Sequence, residues 1–228
     1  MKSFRHHFLA LLFLLTAGAS HAAGLDGISS TDAASGVREA LSKGADHAVS
    51  SLGASNGFLG NPKVKIPLPD SLHKAEKAMR TFGMGKQADE LIDTMNHAAE
   101  AAVAEAKPIL MESIKKMSVN DAKGILTGGE NSVTEYFRRT SSDALTQKFA
   151  PIVKASTKKV QLGDYYNKFA GKAAGMHLID QKDADLDSYV TQKAMDGLFA
   201  MIAEQEKNLR SNPLEAGSSL LKKVFGAL

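Results

Sequence analysis

Cysteine is absent from the 228 residues, and so is tryptophan. Without cysteine there is no disulfide, no thiol nucleophile, no iron–sulfur cluster and no cysteine-ligated zinc. An apolar core must then supply the stability by itself. A basic surface of the kind that binds nucleic acid is also missing. The densest cluster, Lys154, Lys158 and Lys159, has the spacing of one solvated side of a helix, so a nucleic-acid partner is not expected. Aromatic residues are few, 6% of the chain. Alanine, leucine, lysine, methionine and glutamate are abundant instead, a balance that favours helix.

The one strongly apolar run, Phe8 to Ala17, is flanked by Lys2 and Arg5 before it and by the small residues Gly18 to Ala22 after it. A run of that length falls short of the roughly 20 residues of a spanning helix. The positive, apolar, small-residue order is that of a secretory signal peptide, with cleavage expected after Ala22. The expected organisation is an export signal peptide over residues 1–22 and a single domain over 23–228. Removing residues 1–22 from the 228 leaves 206, enough for a real core. Lys2 and Arg5 account for two of the net charge of +3, so the exported part is close to neutral at +1.

Hydrophobic periodicity predicts an all-α, bundle-like domain. Thr31 and Asp32 open a first helix whose face is Ala34, Val37, Leu41, Ala45, Ala48 and Leu52; Gly53, Gly57 and Gly60 break it. In the segment Asn61 to Pro69, Val64, Ile66 and Leu68 alternate with polar or proline positions. Its prolines forbid helix, so it reads as an extended strap, or an isolated edge strand, pressing three apolar side chains onto the helices. Asp70 is expected to cap a helix over Ser71 to Phe82, ended by Gly83. A helix from Lys86 to about Lys107 buries Ala88, Leu91, Ile92, Met95, Ala98, Ala99, Ala102 and Ala106; Lys86, Glu90, Asp93, His97 and Glu100 form its polar side. Pro108 starts a helix to Met117, and a short one follows from Asp121 to Leu126. Ser132 to Val160 is helical with Phe137, Ala144, Leu145, Phe149, Ile152 and Val153 inward, and Pro151 should kink or divide it. A short aromatic helix around Tyr165, Tyr166 and Phe169 comes next. Leu186 to Arg210, apolar almost all round between Ala194 and Ala203, belongs in the middle of the bundle or beneath a ligand. Pro213 stops it, and an amphipathic helix with Leu220, Leu221, Val224 and Phe225 ends the chain.

Motifs that carry chemistry are scarce. Asp93 and His97 lie one helical turn apart but on a polar face, so no metal site is expected. Asp180, Asp183, Asp185 and Asp187 resemble the start of a calcium loop, yet Ser188 stands where its glycine belongs and Ala194 where its closing glutamate belongs. Gly83-Met84-Gly85 joins two helices, which removes its meaning as a dinucleotide fingerprint. Gly128-Gly129-Glu130 lacks the lysine of a phosphate loop. No catalytic residue and no cofactor are assigned. Asp196 is the sole charge between Ala194 and Ala203. Three readings stay open for it: a working carboxylate paired with Arg138 or Arg139, a structural ion pair, or an exposed edge of the helix. Glu206 and Arg210 read as an ordinary exposed pair.

The strap from Asn61-Pro62 through Ile66-Pro67-Leu68-Pro69 and the segment Asp121-Ala122-Lys123-Gly124-Ile125-Leu126 are distinctive as a combination. So are Tyr136-Phe137, Leu186-Asp187-Ser188-Tyr189-Val190-Thr191, Lys193 through Phe199, Asn212-Pro213 and Leu221 through Gly226. With these the chain resembles the bacterial domain-of-unknown-function family 4197, exported and largely helical proteins of proteobacteria. The resemblance spans essentially the whole chain after residue 22 and implies a periplasmic setting. It implies no activity, cofactor or catalytic residue.

Three functions compete. The first is a non-catalytic binding or interaction protein, whose partner is an apolar small molecule or a periplasmic protein. Its sharper form places a cavity near Leu198, Phe199 and Ile202, with Asp196, Arg138 and Arg139 as polar candidates. The second is a hydrolase using a buried carboxylate such as Asp196. The third is an envelope-associated protein touching the membrane surface through its C-terminal helix, where Lys222 and Lys223 flank apolar residues.

Overall fold

The face foreseen for the first helix is the face that is buried. Ala34, Val37, Leu41, Ala45, Ala48 and Leu52 are all shielded from solvent in α1 (Ser30–Leu52). The computed structural model describes residues 28–83, 85–159, 167, 185–213 and 218–226. The expected signal peptide, the aromatic helix around Tyr165, Tyr166 and Phe169, and Asp180 and Asp183 lie outside them. The cap of α1 is Ser29, its side chain accepting from the Asp32 N–H.

The other helices are α2 (His73–Thr81), α3 (Gly85–Ala104), α4 (Lys107–Lys116), α5 (Val119–Thr127), α6 (Ser132–Thr157), α7 (Leu186–Ser211) and α8 (Ser219–Phe225). No β-strand occurs among the described residues, and the fold is an all-α bundle. α6 and α7 share the most extensive contact, and α7 also packs on α1 and α3, so the greasy helix does sit in the middle. One apolar cluster runs through these helices, the strap and α8.

Several local signals act as read. Gly83 takes φ 78° at the end of the α2 turn, a left-handed conformation in which a side chain would be strained. Ser118 and Asp121 form a reciprocal capping box on α5. Others act differently. Asp70 caps no helix: it begins a 3-10 turn, Asp70–Leu72, and its exposed carboxylate pairs with His73 at 3.0 Å. α6 runs through Pro151 without dividing and packs on α3 and α7. Ala144 is exposed; it lies about 100° round the helix from buried Leu145, off the core stripe.

The strap passes over α3 and α7. Ile66 and Leu68 are buried and Val64 is half-buried against the core. No strand pairs with it. Instead the Asn96 side chain on α3 accepts from the Ile66 N–H at 2.8 Å and donates to the Ile66 carbonyl at 2.9 Å. The Tyr189 hydroxyl donates to the Pro67 carbonyl at 3.1 Å. Phe58, just upstream, fills the space left by Gly197 on α7, where an added Cβ would lie 2.5 Å from the ring.

Glu100 corrects the expectation of a polar face on α3. It is buried, and its carboxylate accepts from the N–H groups of Asn56, Phe58 and Leu59 while pairing with His97 at 2.8 Å. The loop after α1 needs an acceptor for those three donors, and a charged one accepts them strongly. α8 docks on α1: Leu221, Val224 and Phe225 are buried, and a Cβ on Gly36 would stand 2.7 Å from Val224 Cγ2. The apolar side chains foreseen as a membrane contact are thus packed inside the domain. No described helix is long and apolar enough to cross a membrane.

Candidate functional site

Gly44 falls on the side of α1 that faces α7. Its nearest outside neighbour is Gln205 Cβ, and a Cβ added to Gly44 would lie 3.8 Å from it, so the two helices leave a gap where a side chain would otherwise sit. The gap is a groove of about 450 Å³, bounded by α1, α7, α8 and the start of α6. Leu41, Val133, Ile202, Leu221 and Phe225 are buried and form its apolar base. Lys43, His47, Gln205, Asn208 and Asn212 stand at its more exposed rim. That size and that division of apolar base and sparse polar rim suit a small-molecule site.

The wall behind the groove is held by Glu206, which is only 4% exposed. The expected exposed pair with Arg210 is therefore corrected. The Glu206 carboxylate accepts from the N–H groups of Val133 and Thr134 at 3.1 and 3.2 Å and from Arg210 at 3.0 Å. Asn131, at the cap position of α6, makes no side-chain cap bond, so α7 supplies that cap through Glu206. Arg210 in turn donates to the Ile125 carbonyl near the end of α5 at 2.8 Å. A carboxylate at one helix start and a guanidinium at another helix end both complement the helix dipoles. The pair ties α5, α6 and α7 together.

The residues singled out from sequence do not converge. Leu198 and Phe199 are fully buried in the core and line no part of the groove; Ile202, one turn further along α7, does line it. Asp196 is the exposed edge of its helix. Its carboxylate is 44% exposed, accepts from Gln192 at 3.1 Å and stands 3.9 Å from Arg138. Arg138 lies over the Phe199 ring, 4.5 Å from its centre. Arg139 points elsewhere, to Asp121 at 3.2 Å and over Tyr136. The hydrolase reading rested on a buried Asp196 and loses that support. His97 pairs with Glu100 rather than joining Asp93, and no group of three or more His, Cys, Asp or Glu able to hold a metal occurs among the described residues.

Among the described residues, two carboxyls are held below the ordinary carboxylate range. Hydrogen bonding from the Ser118 hydroxyl and N–H, with Arg139 nearby, lowers Asp121. Lys43 and then Ser218 lower Glu39, beside the groove. Burial pushes the Tyr136 phenol up; its hydroxyl donates to the Ser113 carbonyl. Asp121 and Tyr136 line one groove together with Arg139, and the Asp121 charge adds to the upward push on the phenol.

A family model described as "Protein of unknown function (DUF4197)" matches residues 27–226. The chain belongs to this family. The match spans every helix described above, including all the walls of the groove. No match was found among curated proteins or among solved structures. The family description brings no activity, so any function has to be argued from the geometry.

Proposed function

We propose that this is a non-catalytic binding protein, exported by residues 1–22, that holds an apolar molecule in the groove between α1 and α7. The groove carries the reading: about 450 Å³ with a base of buried apolar side chains. Burying apolar ligand surface there yields roughly 25 cal/mol per Å² before the costs of association are subtracted.

Gly44→Leu tests it. The new side chain enters the groove, while replacing a helical glycine removes a penalty of about 0.5–1 kcal/mol. Native mass spectrometry of the protein purified from its own cells should show a bound mass that Gly44→Leu lacks, with the variant melting at or above the wild type. A bound mass that persists unchanged in Gly44→Leu overturns the assignment to this groove.

A further inference from the structure

We infer that the molecule held in this groove is an anionic amphiphile, a chain with a carboxylate or comparable single-charge head. This rests on the groove being the binding site and follows from which charges along it are already engaged. Three ionisable side chains line it: Lys43 and His47 from α1 and Glu206 from α7. Glu206 is fully occupied. One oxygen accepts from the Val133 N–H and Arg210, the other from the Thr134 N–H and hydroxyl, all within the wall. Its negative charge is matched by Arg210 at 3.0 Å and does not meet the ligand.

The two cationic or proton-donating groups remain, one helical turn apart on the same wall. Lys43 has one partner, half-buried Glu39 at 3.0 Å, and this solvent-screened pair holds its charge less firmly than the buried Glu206–Arg210 pair holds its own. An ammonium carries three donors, so two stay available. His47 is exposed, its one polar contact a long 3.5 Å approach to Ser51. Its ring offers an N–H donor whether neutral or charged. The facing rim, Gln205, Asn208 and Asn212, is made of uncharged amides, which donate to an anion without adding counter-charge. A cationic head would meet Lys43, and an uncharged head would accept from Lys43 and His47 without the charge assistance an anion gains. From Ala40 to His47 the wall runs about 10 Å along the helix axis, suited to a chain of medium length lying over the apolar base.

Calorimetric titration of the full chain with decanoate, 1-decanol and decyltrimethylammonium, kept below their aggregation concentrations, tests this. Decanoate should bind about fivefold tighter than 1-decanol, the cation weakest, and the preference should shrink as salt is raised. The double variant Lys43→Gln with His47→Gln alters two exposed side chains and should abolish the preference, decanoate then binding no tighter than 1-decanol; a preference that survives it overturns the role of Lys43 and His47. If 1-decanol binds, and Gly44→Leu blocks it, but decanoate is not preferred, the anionic head is wrong and the groove stands. If none of the three binds, both readings fall together.

Discussion

The side-chain amide of Asn96 meets the backbone of Ile66 as a neighbouring strand would, accepting from its N–H at 2.8 Å and donating to its carbonyl at 2.9 Å. Asn96 is fully buried on α3, and its second amide hydrogen goes to the Ile92 carbonyl. One side chain thus satisfies the strap where it crosses the core and where no sheet exists to do so. Buried peptide groups without partners are costly, which makes this contact the condition for an extended segment inside a helical protein.

Asn96→Leu should therefore destabilise the protein by about 3 kcal/mol, since it strands two backbone groups at once. Urea unfolding measures this, and a loss below about 1 kcal/mol would show that the strap finds other partners. Asn96→Asp adds a sign. An aspartate carboxylate repels the Ile66 carbonyl, whereas the protonated acid can donate to it. Burial and that carbonyl raise its folded-state pKa, so stability relative to wild type should be better at low pH and fall as pH rises through that value.

Glu206 and Arg210 should behave as a unit. Glu206→Ala leaves Arg210 half-paired and the α6 start uncapped, and should cost about 3–5 kcal/mol. Replacing both residues with methionine should cost clearly less than the sum of the two single changes. Losses that add within about 0.5 kcal/mol would mean the two act independently.

Gly197→Ala should destabilise despite its better helix propensity. The added Cβ would sit 2.5 Å from Cε1 and 2.9 Å from Cζ of Phe58, a ring that is fully buried. Overpacking of this kind costs about 1–3 kcal/mol, and shortening the neighbour with Phe58→Leu should recover part of it. Gly124→Ala is the control: nothing lies within 4 Å of its added Cβ, so it should stabilise by about 0.5–1 kcal/mol.

Asp121 gives a pH dependence. Ser118 and Arg139 lower its folded-state pKa, so its contribution is present above the ordinary aspartate value of about 4 and is lost as pH falls through the folded-state value. Asp121→Ala should cost about 1 kcal/mol at pH 7 and almost nothing near pH 2, read by thermal melts of both proteins. An equal cost at both pH values would assign the effect to packing rather than charge.

The helices and their inward faces were legible because the signals are local. Leu41, Ala45 and Ala48 recur at the helical period, Pro67 and Pro69 bar helix from the strap, and Gly83 ends α2; each acts within a turn or two of chain. Asp196 shows where that reasoning stops. Its neighbours Met195 and Gly197 are buried, yet it sits at the helix edge beside Arg138, and Arg139, next in sequence, is turned by about 100° to Asp121.

What the sequence determined by itself is the all-helical class, the extended strap and most of the core, since periodicity and punctuation fix local conformation and the apolar face. Which polar residues go inside, and where space is left, was settled by packing across the bundle. Asn96, Glu100 and Glu206 carry ordinary surface spacing, and their buried partners lie 30, 42 and 73 residues away in the chain. The groove likewise depends on Gly44 meeting α7 across the bundle. Burial and cavities arise from distant segments brought together by packing, a relation that no stretch of neighbouring residues contains.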